Sequence, residues 1–284
     1  MHITVVGAAN ADIISKSSRR IIHGDSNPAD VRLTAGGVAR NIAENLSRLG
    51  AVVDFITAIG TDPLGGFLRE SCESCGINTE AWIVREGLST GVYSAALDCD
   101  GELYAAFNAM SVLESIKADD LLPWSDTIAN SDLLIVDTNL TEETLSVVIE
   151  LRSGNPVMVD TVSVAKAPRI EHLLSKVDIL KLNRTEAECL TGLTLDDTNQ
   201  QRLACADLLS RGVKSVCITL GAAGACAADA SGTVFVPAVP VTVSNVTGAG
   251  DAFSAGVALR FREGIKQQVE YGAELAALHL RMCL

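Results

Sequence analysis

The chain has 284 residues, of which 48% are hydrophobic and 20% are charged, enough to bury the core of a globular domain. Lys and Arg number 22 against 35 Asp and Glu, and the resulting net charge of -13 would repel a nucleic-acid backbone. The N-terminus lacks a basic stretch followed by an apolar one, and no apolar run nears the roughly 18 residues of a membrane span. We therefore expect a cytoplasmic protein with one domain over residues 1–284 and neither a nucleic-acid nor a membrane partner.

Short apolar runs alternate with amphipathic stretches of helical length along most of the chain. Between residues 38 and 49, Val38, Ile42, Leu46 and Leu49 share one helix face, which Gly50 closes. Alternation of this kind predicts an α/β fold with a parallel sheet covered by helices on both faces. The apolar runs predicted as strands are 3–6, 52–59, 133–136, 157–159, 177–182 and 215–220.

Two segments, at about 13–35 and 90–108, interrupt this alternation. Both are strand-like, and Asp98-Cys99-Asp100-Gly101 supplies turn residues inside the second. They predict a small antiparallel sheet added to the main domain. A lid over a ligand site is one interpretation, and an edge extension with a structural or dimer-forming role is the other.

The cysteines and histidines do not indicate a metal site. Of eight cysteines, only Cys72 and Cys75 have the CxxC spacing, and no second ligand pair accompanies them. They lie in a helix-like stretch, so we interpret them as packing residues, with a redox pair as the weaker alternative. The four histidines show no paired spacing.

The stretch 246–251, VTGAGD, precedes an apolar helical run at 252–260. Gly248 and Gly250 allow a tight turn, and exposed N–H groups at a glycine-rich helix start can hold an anion such as phosphate. A carboxylate at that place needs a separate role, and accepting the proton of an attacking hydroxyl would give Asp251 one. The structural alternative is that the glycines only form a turn and Asp251 only favours the helix dipole.

Two other phosphate-binding patterns are absent from the sequence. No GxxxxGK[ST] motif occurs, which excludes a Walker-type loop. No GxGxxG follows the first strand, where Gly7 stands alone, and this argues against a dinucleotide-dependent dehydrogenase.

Taken together, these motifs resemble those of the ribokinase-like sugar and nucleoside kinases, the phosphofructokinase-B group, over nearly the whole chain. The resemblance rests on GAANAD at 7–12, GGVARN at 36–41, NRTE at 183–186, TLGAAG at 219–224 and VTGAGD at 246–251. It implies a three-layer α/β/α sandwich with a mostly parallel central sheet and a small antiparallel β lid. It also implies a phosphotransferase with an alcohol acceptor, which uses ATP and Mg²⁺ and leaves dependence on K⁺ open.

The resemblance assigns a role to each motif. Asp251 takes the place of the catalytic base, and the anion hole corresponds to Gly248, Ala249 and Gly250. The acceptor would be bound by Asn10, Asp12, Asn27, Gly36, Gly37 and Asn41. The nucleotide would be bound by Asn183, Glu186, Thr219, Gly221, Gly224 and Thr247.

Glu186 has a second role in this resemblance, which is to organise Mg²⁺, largely through water. Magnesium keeps several waters, so one carboxylate without a protein cage is reasonable. The spacing of Asn183 and Glu186 alone is equally that of a capping pattern at a helix start.

Within the family, several segments look most like those of pseudouridine kinases: Ser26-Asn27-Pro28, the 36–46 helix start and Asn245-Val246-Thr247. This implies ATP-dependent phosphorylation of the 5′ hydroxyl of pseudouridine to pseudouridine 5′-phosphate, by a homodimer joined through the β lid. Ala109 departs from the pattern, which has Asp there. The alternatives are a kinase for ribose, fructose, adenosine or another nucleoside, and a sugar or nucleoside sensor of the same fold that is catalytically weak.

Overall fold

The computed structural model describes residues 1–241 and 247–282, so Asn245 and Val246 of the sequence motifs lie outside it. The strands are β1 (His2–Val6), β2 (Asn10–Ser17), β3 (Ala29–Gly36), β4 (Val52–Ile56), β5 (Ala58–Gly60), β6 (Ile83–Arg85), β7 (Val92–Leu97), β8 (Leu103–Ala109), β9 (Leu133–Asp137), β10 (Val157–Asp160), β11 (Ile179–Asn183), β12 (Ser215–Thr219), β13 (Ala225–Asp229) and β14 (Gly232–Val236).

The helices lie mainly between these strands. The α-helices are α1 (Val38–Arg48), α2 (Pro63–Ser74), α3 (Ser111–Glu114), α4 (Ala118–Leu121), α5 (Ser125–Ala129), α6 (Glu142–Leu151), α7 (Arg184–Thr191), α8 (Thr198–Ser210), α9 (Ala249–Leu259) and α10 (Ile265–Met282). In the described part of the chain, 3-10 helices span Leu122–Trp124, Ala167–Lys176 and Gly221–Ala223. Among the described helices, none is long and apolar enough to cross a membrane.

The main sheet has the strand order β14-β13-β12-β11-β10-β9-β1-β4. Its strands are parallel from β4 to β12, and β13 and β14 are antiparallel additions at one edge. The central strands are continuous apolar runs because both faces of the sheet are covered. All the strands predicted from apolar runs are present, and the mostly parallel sheet of the expected fold is confirmed.

Alternate residues of the sheet belong to two separate apolar cores, one on each face. Val6 and Val136 pack into the core that includes the buried residues of α6, α7 and α8. Val5 and Ile135 pack on the other face, with the buried residues of α1, α9 and α10. This is the predicted three-layer α/β/α arrangement.

Helix α1 follows its sequence pattern closely. Ile42 and Leu46 are fully buried, and Gly37 caps the start of the helix with a φ of 104°, a left-handed backbone conformation that favours glycine. Helix α10 begins at Ile265 and ends at Met282, and its apolar face packs on α9.

A second sheet, the lid, has the order β3-β2-β7-β8. The hairpins β2–β3 and β7–β8 are antiparallel and lie where the two strand-like segments were predicted. The middle pair, β2 and β7, is parallel, which differs from a fully antiparallel lid. Both strands start at the same place, where Ala11 N donates to Gly91 O over 2.8 Å, so they extend from the main sheet in the same direction.

The CxxC pair lies at the end of α2. Cys72 is fully buried in the core, and Cys75 caps the helix. Burial raises the pKa of the Cys72 thiol to about 11, which keeps it protonated and unreactive at neutral pH.

Within residues 1–241 and 247–282, no cluster of three His, Cys, Asp or Glu side chains could hold a metal ion.

Candidate active site

The site forms around the first turn of α9. Gly248 caps this helix in the left-handed conformation, with a φ of 80°, and a Cβ there would lie 2.6 Å from His279 Nε2, so glycine is required. The first N–H groups of an α-helix have no acceptor within the helix. The N–H groups of Ala249, Gly250 and Asp251 are therefore without an acceptor inside the helix, and the anion hole expected at this turn stays a prediction.

Asp251 stands in this first turn with a carboxylate suited to accept a proton. Its Oδ2 accepts a hydrogen bond from Asn41 Nδ2 over 2.8 Å. Burial among protein atoms, reinforced by the negative charge of Asp160, raises the pKa of Asp251 to about 7, while Lys181 and Asn41 act in the opposite direction. A carboxylate with a pKa near neutrality is matched to general-base work at physiological pH.

Arg40 orients the Asn41 amide, a role that the sequence motif did not reveal. Arg40 Nη1 donates to Asn41 Oδ1 and to the Ala35 carbonyl, each over 3.1 Å, and it forms a 2.6 Å ion pair with Glu44. Because the Asn41 oxygen is held by Arg40, its NH₂ group faces Asp251. The signal available in the sequence was an arginine four residues before a glutamate on a buried helix.

The acceptor-side residues meet at the base of the lid. Asn10 Nδ2 donates to Asp12 Oδ1 over 2.5 Å, and burial raises the pKa of Asp12 above its usual value. A Cβ at Gly36 would lie 2.3 Å from Asp12 Oδ2, and one at Gly37 would lie 2.3 Å from the Ala8 carbonyl. The two glycines therefore allow the β3–α1 connection to pack against the residues predicted to bind the acceptor.

Asn27 lies apart from the other residues that were predicted to bind the acceptor. It lies in the loop at the far end of the β2–β3 hairpin, where its Oδ1 accepts from Ile22 N over 2.8 Å. Its Nδ2 donates to the carbonyls of Ile22 and Asp25, each over 3.0 Å. Within the chain, Asn27 stabilises the hairpin loop, and its predicted contact with the acceptor stays a prediction.

Asp137 connects the segments that carry the acceptor-side residues to the main sheet through hydrogen bonds. This carboxylate is fully buried at the end of β9, and its Oδ2 accepts from the N–H groups of Ala8 and Ala39, each over 3.0 Å. Its Oδ1 accepts from Asn139 N over 2.9 Å. One side chain thereby fixes both the β1–β2 connection and the start of α1, which carry Asp12 and Asn41.

An apolar cleft of about 500 Å³ opens beside the start of α9. Its lining includes Thr219, Gly221 and Gly224 on one side and Ala249 and Gly250 on the other. Four of the nucleotide-side and anion-hole glycines and alanines predicted from the sequence are thus adjacent in space. Such a cleft next to free helix N–H groups fits a base and its phosphates.

Two of these nucleotide-side residues also have a clear backbone role. Gly224 has a φ of 96°, and a Cβ there would lie 2.1 Å from the Val236 carbonyl, so only glycine fits. Thr247 precedes the helix cap, and its carbonyl accepts a 2.9 Å hydrogen bond from His279 Nε2. This contact connects the C-terminal helix α10 to the anion-binding turn.

Asn183 and Glu186 form a reciprocal capping box at the start of α7. Asn183 Oδ1 accepts from Glu186 N over 2.9 Å, and Glu186 Oε2 accepts from Asn183 N over 2.8 Å. Glu186 is almost fully buried, and its oxygens also accept from Asn183 Nδ2 and Thr161 Oγ1. The structural alternative for this motif is therefore present in the geometry, and the role of both residues at the nucleotide stays a prediction.

The hydrogen bonds that Glu186 accepts decide how Mg²⁺ would be held at this site. Both Glu186 oxygens already accept from protein donors, so the chain does not offer a direct ligand set here. Magnesium commonly binds through phosphate oxygens and water rather than through a protein cage. Contact of Glu186 with Mg²⁺ through water stays a prediction.

A buried ion pair that the motifs did not identify lies behind the anion-binding turn. Lys181 Nζ is 3.0 Å from Asp160 Oδ2, and both side chains are almost fully buried. Ser254 Oγ donates to the same Asp160 oxygen over 2.9 Å. The available signal was a single lysine inside the apolar strand ILKLN, two residues before Asn183.

Known proteins resemble this chain over nearly its full length. The family described as pfkB family carbohydrate kinase matches residues 1–281. A pseudouridine kinase of Escherichia coli is 32% identical over 265 residues, which cover 93% of this chain and 85% of the relative. A ribokinase of Haemophilus influenzae is 28% identical, with 97% of this chain and 91% of the relative covered.

A solved structure agrees with these sequence matches. The structure of Arabidopsis thaliana ribokinase complexed with ribose and ATP superposes with a TM-score of 0.88 and 25% identity, covering 98% of this chain and 92% of that one. The fold predicted from the sequence, with its lid, is thereby confirmed. The chain belongs to the pfkB family of carbohydrate kinases and is a phosphotransferase with an alcohol group as acceptor.

Proposed function

We propose that this kinase transfers the γ-phosphoryl group of ATP to the 5′ hydroxyl of pseudouridine. The observation that carries the reaction type is Asp251, whose pKa of about 7 and position beside three free helix N–H groups suit a base next to an anion site. The choice of pseudouridine is supported by the 32% identity to the Escherichia coli enzyme and by the 26–28 and 36–46 segments.

The chain's own residues have distinct parts in this reaction. Asp251 takes the proton of the 5′ hydroxyl as its oxygen bonds to the phosphoryl group. The N–H groups of residues 249–251 stabilise the charge on the transferring group, and ADP leaves through the cleft that Thr219 and Gly224 line. Asn41 keeps the Asp251 carboxylate oriented through its 2.8 Å hydrogen bond.

The first experiment is to measure ADP release with ATP and magnesium across pseudouridine, uridine, adenosine, ribose and fructose. We expect turnover with pseudouridine and none with 5′-deoxypseudouridine, which keeps the base and lacks the reacting hydroxyl. Uridine is the matched control, because it differs only in how the base joins the ribose. Preferred turnover of another acceptor would contradict the choice of substrate and keep the kinase chemistry, whereas ligand binding without any turnover would support the sensor alternative.

Asp12 offers a direct test of the acceptor side. We expect Asp12→Ala to raise the KM for the acceptor about 10- to 100-fold with a smaller change in kcat, the size of one lost hydrogen bond to a charged group. The exposed carboxylate of Asp30, on the neighbouring lid strand, provides the matched control Asp30→Ala, which should leave this KM unchanged. An unchanged KM in Asp12→Ala would contradict its place in the acceptor site.

A homodimer joined through the lid is the assembly that we favour. In one cross-strand row of the lid, Leu33 pairs with Ile13, Ile13 with Ser94 and Ser94 with Phe107. Leu33 and Phe107 expose 46% and 74% of their surface, and strand alternation places this row on the face opposite Asp12. An exposed apolar sheet face supports a protein contact there, and the molar mass in solution would decide it.

A further inference from the structure

Lys181 projects from β11 into the space behind the anion-binding turn. Only 7% of its side chain is exposed, and its Nζ lies 3.0 Å from Asp160 Oδ2, whose side chain is 2% exposed. The absence of a side chain at Gly250 leaves room for the ammonium group, since a Cβ there would lie 3.2 Å from Lys181 Nζ. The lysine therefore lies directly against the turn that carries Asp251.

The titratable groups around Lys181 come from several strands and helices. Their charges are unbalanced, since several carboxylates share this one lysine. Burial by itself lowers the pKa of Lys181, but the neighbouring carboxylates outweigh it and raise the pKa above its usual value, so the lysine stays charged. The titratable groups that interact with Lys181 or Asp251 here are Asp160 on β10, Asp251 on α9, Glu186 on α7, Asp137 on β9 and Cys217 on β12.

Ionising two neighbouring buried carboxylates is unfavourable in free energy unless a cation lies close to them. Asp160 raises the pKa of Asp251 through its negative charge, and Lys181 lowers it. Asp160 is bonded to Lys181 directly, whereas the lysine acts on Asp251 through charge. The arrangement is a triad in which the ionisation of Asp251 depends on both of the other members.

We propose that Lys181 is a positioning residue that, as the shared counter-ion of Asp160 and Asp251, keeps Asp251 ionised and able to accept a proton. The inference rests on the proposed kinase reaction. In that step the hydroxyl proton moves to the Asp251 carboxylate, the hydroxyl oxygen bonds to the γ-phosphorus, and the bond from that phosphorus to the ADP oxygen breaks.

The test is the pH dependence of kcat in four proteins: the wild type, Lys181→Met, Lys181→Arg and Asp160→Asn. In Lys181→Met, which removes the cation, we expect the acid limb of the kcat profile, where Asp251 becomes protonated, to shift to higher pH by about one unit or more. It should move down in Asp160→Asn, which removes the competing anion, and stay near the wild-type position in Lys181→Arg. Lys176→Met, which removes an exposed lysine paired with Glu150, is the matched control and should not move it.

A merely structural lysine would not produce opposite shifts in two variants of one ion pair. Equal or absent shifts of the acid limb in Lys181→Met and Asp160→Asn would overturn the proposal. If Lys181→Met does not fold, a downward shift in Asp160→Asn together with an unmoved limb in Lys181→Arg supports it, and any other pair of results overturns it.

Failure of the kinase proposal would be recognised separately. Wild-type protein without turnover on any acceptor would refute the proposed function, and the triad would then be tested by thermal unfolding. Lys181→Met should lower Tm more at pH 8 than at pH 5, because both carboxylates would then be ionised without a cation. An equal loss at the two pH values would overturn the role of Lys181.

Discussion

Asp251→Asn should lower kcat by about two to four orders of magnitude and leave the binding of acceptor and nucleotide nearly unchanged. General-base catalysis contributes on the order of 10²–10⁴ in rate, and the amide cannot take the hydroxyl proton. Its oxygen can still accept the 2.8 Å hydrogen bond from Asn41, so the geometry of the site is kept. Single-turnover kinetics together with calorimetric binding of the acceptor would separate the two effects.

The matched control for this variant is Glu150→Gln, which neutralises a carboxylate on α6 whose side chain is 62% exposed. It should retain wild-type kcat. If Asp251→Asn kept most of its turnover, Asp251 would not be the base, and the anion-binding turn would be catalysing the transfer alone.

The same variant should also gain stability at alkaline pH. The pKa of Asp251 is raised to about 7 in the folded protein from 3.8 in the unfolded chain, so the folded state holds a proton that the unfolded state has lost. Stability from this group is fully present below about pH 4 and is lost as pH rises through 7. Removing the charge should therefore stabilise the protein at pH 8 by up to about 4 kcal/mol, with little change at pH 4. Thermal unfolding at both values measures it.

Asp137→Ala should destabilise the fold by about 3–5 kcal/mol and raise the KM for the acceptor. The substitution leaves three buried backbone N–H groups, those of Ala8, Ala39 and Asn139, without their acceptor, and each such group costs roughly 1–3 kcal/mol. The β1–β2 connection and the start of α1 lose their common anchor, so Asp12 and Asn41 should be less well positioned. Chemical denaturation gives the first effect and steady-state kinetics the second.

Asp132 provides a control just before the opposite end of the same strand. Its carboxylate also accepts a backbone hydrogen bond, from His2 N over 2.8 Å, but it is partly exposed and far from the acceptor side. Asp132→Ala should cost about 1 kcal/mol and leave the KM unchanged. A loss of similar size in both variants, with no change in KM for Asp137→Ala, would contradict the anchoring role.

Much of the fold could be predicted because strong local patterns specify it. The spacing of Val38, Ile42 and Leu46 fixed helix α1 to within one residue, and the apolar runs marked the central strands. The parallel pairing of β2 with β7 could not be predicted, because hydrophobic pattern records which face of a strand is buried and not the direction of its neighbour.

Only part of the site could be predicted from the sequence. The glycines and the carboxylate at 248–251 pointed to Asp251, because an anion site at a helix start needs special backbone conformations. Asp12 and Asn41 were assigned only through the resemblance to the family. Arg40 and Lys181 were missed for different reasons. Arg40 acts through a side-chain contact with its neighbour Asn41, to which no motif points, whereas Lys181 pairs with Asp160, which is distant in the chain. For Glu186, spacing could not separate a capping box from a nucleotide contact, and the structure contains the capping box.

The parallel pair inside the lid has a consequence for how the protein folds. Its first rung joins Ala11 to Val92, about 80 residues apart, so the chain must close a long loop before the two hairpins can meet. Each hairpin is local and can form early, but neither has a partner until the β1–β4 region is in place. The acceptor side around Asp12 should therefore be completed late in folding. The strands β11 to β14 on the nucleotide side should form earlier, because they pair mainly with near neighbours in the sequence.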